Sequence, residues 1–287
     1  MRYLSRVEAR LSSSDVDKAS GSGGNVDFGF QDVDASAKEG MVKEVFSKVA
    51  ENYDLMNDAM SLGMHRLWKD FFVQSIGIKA AAEADPSHVM RHLDVAGGTG
   101  DIAFRVVREL AKAYPQHMNL LSNGEGGLPL PQADRQIVVC DINAEMLKVG
   151  ARRAEGMVGR ELSPLIGFVE GNAEAMPFQD TSFDLYSIAF GLRNVTDKPK
   201  ALREAHRVLR RGGRLMVLEF SHLPNPLLQS LYDSYSFNVI PRLGELISKD
   251  ADSYQYLVES IRRFPKQARI FNNLFRISSK CMLIRRS

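Results

Sequence analysis

The stretch HLDVAGGTGDIAF (residues 92–104) decides how the rest of the chain is interpreted. An apolar run leads into Gly97, Gly98 and Gly100, and the residues after them have the spacing of an amphipathic helix. Glycines let a backbone approach a ligand closely, and a helix N-terminus presents free N–H groups to it. The stretch therefore predicts a strand, a ligand-binding turn and a helix. It also matches the dinucleotide fingerprint G-x-G-x-x-G/A, which is a weak signal on its own.

The remainder of the chain alternates between apolar strands and amphipathic helices. Further strands are expected at residues 135–142, 165–173, 183–191 and 210–220, and helices at 101–114, 144–153 and 198–209. This alternation predicts an α/β fold in which a mostly parallel sheet carries helices on both faces. A helical extension is expected before it, at residues 38–72.

Composition excludes several classes of protein. The 287 residues carry a net charge of only +2, which gives no sign of a nucleic-acid partner. The two cysteines, Cys140 and Cys281, fit neither a metal-ligand spacing nor a disulfide framework, so no metal is expected. No apolar run approaches the roughly 18 residues that cross a bilayer, so any membrane contact is expected to be peripheral.

The first 36 residues are expected to lie outside the folded domain. Arg2, Arg6 and Arg10 recur every four residues and serines follow, as in a mitochondrial targeting segment. Glu8 counts against targeting, and a solvated terminus is the alternative. Because residues 19–29 have the composition of a flexible linker, the folded part is predicted to begin near Ala37.

Two polar segments at strand ends are candidate cofactor contacts. Asp141 ends the second strand, where a carboxylate can accept hydrogen bonds from ribose hydroxyls. The alternative is a helix cap, since Asp141 or Asn143 could cap the next helix. Asn172 and Ala173 follow the third strand, where an amide beside a backbone N–H can read an adenine edge. Pro177 and Phe178 are expected to add an apolar wall.

The charge around the glycines favours a cationic cofactor over a diphosphate. Asp94 and Asp101 flank the turn, and their charge suits the ammonium and sulfonium of S-adenosyl-L-methionine. A nicotinamide enzyme would carry its acidic ribose residue roughly 20 residues after the glycines. Asp141 comes much later, so a nicotinamide-dependent oxidoreductase is disfavoured.

Several longer segments resemble a known family. YDLMNDAMSLGMHRLWK (residues 53–69), LDVAGGTGDIAF (93–104), AFGLRNV (189–195) and EAHRVLRRGGRLMVLEFS (204–221) are similar to class I S-adenosylmethionine-dependent methyltransferases. More narrowly, they resemble the ubiquinone/menaquinone biosynthesis C-methyltransferases, from about Phe28 to Lys266. The resemblance implies a Rossmann-like methyltransferase domain at residues 37–267.

The resemblance also implies a reaction, in which S-adenosylmethionine methylates a ring carbon of a polyprenyl benzoquinol. Arg193 and Asn194 follow the fourth strand, and we expect Arg193 to stabilise the developing phenolate and Asn194 to orient the ring hydroxyl. A surface or ion-paired arginine is the alternative. His65 and His206 are alternative bases. The remaining expected site residues are Gly97, Thr99, Gly100, Asp141, Asn172 and Ala173 for the cofactor, and Tyr53 and Asn57 as a lid.

The expected partners follow from the same resemblance. It implies membership of a multi-subunit ubiquinone-biosynthesis complex, held peripherally on the matrix side of the mitochondrial inner membrane. The apolar segment at residues 223–247 could form a prenyl channel and lid, core packing or a homodimer contact.

The C-terminal end departs from the family pattern. Residues 268–287 form a basic tail without an acid, and the usual last strands are expected to be missing. At most one short replacement strand or helix is expected, at residues 270–277. A missing strand would expose a sheet edge. This leaves open a catalytically weak or inactive structural subunit as the alternative function.

Overall fold

The described chain begins with a β-hairpin and four helices. The computed structural model describes residues 24–117, 131–220, 225–248, 250–264 and 282–284. Strands β1 (Asn25–Phe28) and β2 (Gln31–Asp34) pair antiparallel. Four helices follow: α1 (Ala35–Val49), α2 (Tyr53–Ser61), α3 (Met64–Gln74) and α4 (Ile78–Ala84). The helical extension is confirmed, but ordered structure starts before Ala37. The proposed targeting segment lies in residues 1–23, outside the described residues.

A six-stranded parallel sheet forms the centre of the domain. Its strands are β3 (His92–Val95), β4 (Ile137–Asp141), β5 (Ile166–Glu170), β6 (Phe183–Ala189), β7 (Leu209–Leu218) and β8 (Met282–Ile284). Their order is β5-β4-β3-β6-β7-β8, with parallel pairing throughout. The remaining helices are α5 (Asp101–Ala113), α6 (Ala144–Val158), α7 (Lys198–Val208), α8 (Pro226–Asn238), α9 (Ile240–Ser248) and α10 (Ala251–Arg263).

Alternate residues of β4 enter different cores, which is why this strand is a continuous apolar run in the sequence. Ile137 and Val139 join a core with α3, α4, α5 and α6, whereas Val138 and Cys140 join a core with α7. A third core joins α1 and α2 to α9 and α10. The predicted α/β class with helices on both faces is confirmed.

The C-terminal edge of the sheet carries one short strand. β8 pairs with Leu215, Met216 and Val217 of β7 and runs parallel to it. It lies later in the chain than the expected replacement element at residues 270–277, which fall outside the described residues. None of the helices in the described part of the chain combines the length and apolar character needed to cross a bilayer.

The chain reverses its direction across the sheet between β3 and β6. It runs from β3 outward through β4 to β5, then returns to β6 beside β3. Ligands in such sheets bind beyond the carboxyl ends of the strands at this switch point. The two strand exits there are strained, because Ala96 has a φ of +50° and Phe190 a φ of +57°. Strain of this kind in non-glycine residues is concentrated at functional sites.

Candidate active site

A cavity lies at the switch point, beyond the ends of β3, β4, β5 and β6. It encloses about 790 Å³ of space, including its open mouth. Its walls combine the four strand-end turns with α1 and Tyr53. The residues concerned are Glu39, Val42, Lys43, Phe46, Tyr53, Val95, Ala96, Gly98, Asp141, Ile142, Asn143, Met146, Gly171, Asn172, Ala173, Glu174, Phe190, Gly191, Asn194, Val195 and Thr196.

The glycine turn reaches the cavity through Gly98. Its φ is +53°, and its N–H donates to Oδ2 of Asp141 over 2.8 Å. Gly97 and Gly100 do not line the cavity: a Cβ on Gly97 would lie 2.8 Å from Asp94, and one on Gly100 3.2 Å from the Phe104 ring. Thr99 is buried and does not line it either. Gly97, Thr99 and Gly100, three of the expected cofactor residues, therefore support the turn without lining the cavity.

Asp141 lies on the cavity wall with its carboxylate held in place. Oδ1 accepts from the backbone N–H of Asn143 over 2.8 Å, and Oδ2 accepts from Gly98. Burial raises the pKa of Asp141 to about 6. Of the two possible caps of the next helix, Asn143 is the one observed, because it accepts from the N–H groups of Glu145 and Met146 of α6. Asp141 is therefore not the cap.

Asn172 and Ala173 lie on the same wall, beyond the end of β5. The Asn172 Oδ1 accepts from the N–H of Glu174 over 2.8 Å, and its Nδ2 donates to Glu39 over 2.9 Å. Pro177 and Phe178 do not form the expected apolar wall, because the Phe178 ring packs edge-on against Phe183 in the core. The apolar wall comes instead from Val42, Phe46, Ile142 and Met146.

Arg193 and Asn194 occupy a short 3₁₀ turn (Leu192–Asn194) but face different surroundings. Asn194 lines the cavity. Arg193 is only 2% exposed, does not line the cavity, and forms an ion pair with Glu219 (Nη1 to Oε1, 2.9 Å). It also donates from Nε to Ser260 Oγ over 3.3 Å and from Nη1 to the Phe190 carbonyl. The contacts of Arg193 are therefore those of the alternative considered above, an ion-paired arginine.

The two expected lid residues also lie in different surroundings. Tyr53 lines the cavity, and burial raises the pKa of its phenol. Asn57 is buried and does not reach the wall. Neither histidine considered as a base lines the cavity: His65 Nε2 lies 2.8 Å from Asp58 Oδ1, and His206 lies on α7.

Asp101 does not supply free negative charge to the turn. Its Oδ2 lies 2.6 Å from Lys69 Nζ, and its Oδ1 pairs with Arg105. The expectation that its charge attracts a cationic ligand is therefore wrong. The carboxylates that remain near the turn are those of Asp94, which is buried, and Asp141, which is half-buried on the cavity wall.

Helix α1 contributes to the cavity wall, which the sequence did not indicate. Glu39 and Lys43 are four residues apart on one helix face, and both line the wall. Asn143 fixes this helix by donating from Nδ2 to the Lys43 carbonyl over 2.9 Å and to Ser47 Oγ over 3.0 Å. The apolar periodicity of α1 was visible in the sequence, but its docking on α6 was not.

Comparisons with known proteins agree with one another. The model of the ubiE/COQ5 methyltransferase family matches residues 34–279, which extends past Lys266 into the tail that was expected to diverge. A protein from Arabidopsis thaliana, named 2-methoxy-6-polyprenyl-1,4-benzoquinol methylase, mitochondrial, is 50% identical over 84% of this chain and 79% of its own length. A relative of the same name from Dictyostelium discoideum is 46% identical over 93% and 87%. The ubiquinone/menaquinone biosynthesis C-methyltransferase UbiE of Rhizobium etli is 50% identical over 84% and 81%.

Proposed function

Because the chain belongs to the ubiE/COQ5 methyltransferase family, we propose that it methylates a ring carbon of 2-methoxy-6-polyprenyl-1,4-benzoquinol in ubiquinone biosynthesis. S-adenosylmethionine is the methyl donor. The observation that supports this most strongly is the convergence of four strand-end turns on one cavity, with Asp141, Asn172 and Asn194 all on its wall.

The residues on the wall fit S-adenosylmethionine. Asp141 offers a carboxylate to ribose hydroxyls, and the Asn172–Ala173 turn offers polar groups to an adenine edge. Apolar contact comes from Val42, Phe46 and Met146. Gly98 has a φ of +53°, which favours glycine, and without a side chain its backbone is open to close approach from the cavity. When bound, the cofactor supplies an electrophilic methyl group, and its transfer releases S-adenosylhomocysteine and one proton.

The protein must activate a ring carbon, which is a weak nucleophile. Loss of the proton from an adjacent hydroxyl pushes electron density onto that carbon, so a donor aimed at the ring oxygen favours the reaction. Asn194 is a polar side chain of the fourth strand-end turn on the wall, and we assign it this contact. Holding the two reactants in line contributes up to about 7–11 kcal/mol.

In this proposal, Arg193 contributes to catalysis without lining the cavity. Its guanidinium stays protonated and is paired with Glu219, so it supplies a fixed charge and no base. Its bonds to Phe190, Glu219 and Ser260 hold the turn that presents Asn194. Tyr53 closes the cavity from α2.

We further propose that the protein works in mitochondria, peripherally on the matrix side of the inner membrane, within a ubiquinone-biosynthesis complex and as a homodimer. The names of the relatives support the mitochondrial part. The peripheral contact is supported by exposed apolar side chains on two helices, which are Met64, Leu67 and Phe71 on α3 and Leu227, Leu228 and Leu231 on α8. A polyprenyl substrate gives an enzyme reason to sit at a membrane surface.

A methyl-transfer assay tests the proposed reaction. Purified protein is incubated with S-adenosylmethionine and a short-chain benzoquinol analogue, and the product is identified by a mass increase of one methylene on ring carbon. Calorimetry measures cofactor binding in parallel. Failure to bind S-adenosylmethionine would contradict the proposal, whereas binding without turnover on any quinol would favour the non-catalytic subunit.

A further inference from the structure

The side-chain amide of Asn194 has two ends in different surroundings. Its Oδ1 accepts a hydrogen bond from the hydroxyl of Tyr256 over 2.9 Å. Across the described ranges of the chain, Nδ2 of Asn194 has no hydrogen bond to a protein acceptor, and the residue lines the cavity. The two N–H groups are therefore left for a molecule in the cavity.

We propose that Tyr256 is a positioning residue for methyl transfer: its hydroxyl holds the Asn194 amide with the NH₂ end toward the cavity, where it donates to the substrate ring oxygen. The inference rests on the proposed function. The oxygen and nitrogen ends of an asparagine amide are nearly equal in size but opposite in hydrogen-bonding character. A half-turn of the amide would present a carbonyl oxygen to an oxygen that is gaining negative charge.

Tyr256 is well placed to fix this orientation. Its side chain is only 5% exposed, and its ring stacks on Phe28 of the N-terminal hairpin with centroids 4.2 Å apart and an interplanar angle of 23°. Burial raises the pKa of the phenol, so the hydroxyl remains a donor across the physiological range. A donor at this point selects the oxygen end of the amide.

Helix α10 holds both residues of the Arg193–Asn194 turn. Tyr256 binds Asn194, and Ser260, one helical turn later, accepts from Nε of Arg193. Ser260 is itself fixed by donating to the Leu257 carbonyl over 2.8 Å. The hairpin and α10 therefore act on the cavity through a chain of contacts from Phe28 to Tyr256 to Asn194.

The ring and the hydroxyl of Tyr256 can be separated by substitution. Tyr256→Phe keeps the ring and its stack on Phe28 but removes the hydroxyl. Tyr186→Phe is the matched control, because Tyr186 is a buried tyrosine that packs in the core behind β6 and does not line the cavity. Each substitution is made in the wild-type protein and again in the Asn194→Ala variant, and its effect is compared between the two.

We expect Tyr256→Phe to lower kcat about 10-fold, less than the 10²–10³ lost when a transition-state donor is removed outright. The KM for quinol and the Kd for S-adenosylmethionine should stay within about 2-fold, since one oriented donor matters most in the transition state. In the Asn194→Ala background the same substitution should cause no further loss, as expected for two residues that act through one contact. Tyr186→Phe should leave kcat unchanged.

A nuclear magnetic resonance measurement provides a readout without turnover. The side-chain NH₂ signals of Asn194 are identified by their loss in Asn194→Ala. We expect them to shift in Tyr256→Phe and to stay in place in Tyr186→Phe. Phe28→Leu is a second variant, which removes the ring that stacks on Tyr256 and should hold the Tyr256 ring less tightly. It should change kcat and the amide signals in the same direction as Tyr256→Phe, but by less.

The outcomes separate this inference from the proposed function. An equal loss of kcat in both backgrounds would overturn it, and so would an unchanged kcat with unchanged amide signals. If wild type transfers no methyl group to any quinol, the proposed function fails instead, while the amide signals still test whether Tyr256 orients Asn194.

Discussion

At the residue scale, the half-buried carboxylate of Asp141 on the cavity wall is expected to make cofactor binding depend on pH. Its pKa in the free protein is about 6, raised by burial. A ligand whose hydroxyls donate hydrogen bonds to the carboxylate, and which carries positive charge nearby, stabilises the ionised form of Asp141. Binding of such a ligand therefore lowers the pKa of Asp141. The affinity for S-adenosylmethionine should therefore rise as the pH rises through 6 and level off above about 7.

Calorimetry between pH 5 and pH 8 measures this dependence. Asp94 is a second carboxylate near the turn, with a pKa raised by burial to about 7, so the rise should extend toward neutrality. Asp141→Asn should weaken binding and flatten the lower part of the curve. A constant affinity from pH 5 to pH 8 in the wild-type protein would contradict the prediction.

Arg193 is expected to matter for stability as well as for turnover. Arg193→Ala removes the buried cation that pairs with Glu219, and breaking a buried pair in this way typically costs about 3–5 kcal/mol. Urea unfolding should therefore show a large fall in the free energy of unfolding. The double variant Arg193→Met, Glu219→Leu should recover much of it, because no charge is left unpaired. An unchanged stability of Arg193→Ala would show that the pair is not buried as described.

At the scale of elements, the site depends on how closely two strand exits approach each other. A Cβ on Gly191, after β6, would lie 2.4 Å from the Cβ of Ala96, after β3. Gly191→Ala must push the two turns apart. We expect at least a 10-fold loss of cofactor affinity and a fall in melting temperature.

Gly156→Ala is the matched control for that substitution. Gly156 lies within α6, and no atom lies within 4 Å of an added Cβ. Alanine should stabilise this helix by about 0.5–1 kcal/mol and leave cofactor affinity unchanged. If both alanine variants bind S-adenosylmethionine like the wild type, close approach at Gly191 is not needed for the site.

Single elements also show which residues of the site could be predicted from the sequence and which could not. Asp141, Asn172, Ala173 and Asn194 were found because the carboxyl ends of parallel strands meet at one edge of a sheet. Arg193 follows the same rule in sequence, yet its partner Glu219 lies just after the neighbouring strand β7, and the local pattern cannot reveal that pairing. Composition likewise indicated a linker where β1 lies and placed β2 before the folded domain, because the docking of this hairpin depends on distant contacts, such as the stack of Phe28 on Tyr256.

At the scale of the whole molecule, the exposed apolar side chains of α3 and α8 predict a membrane-binding surface. Leu67 and Leu231 are each 61% exposed. Burying such side chains contributes about 1.5–3 kcal/mol each, so Leu67→Ser with Leu231→Ser should weaken binding to phospholipid vesicles at least 10-fold. Co-sedimentation measures binding, and turnover on a water-soluble quinol should stay at the wild-type level. Equal sedimentation of variant and wild type would contradict the prediction.

The Arg193–Glu219 pair also constrains how this sequence can vary among descendants. Each buried charge is neutralised by the other, although 26 residues separate them along the chain. A lineage that replaces one residue first passes through an intermediate that loses about 3–5 of the 5–15 kcal/mol that hold an ordinary domain together. Natural variation at these two positions should therefore be correlated, with both residues retained or both exchanged.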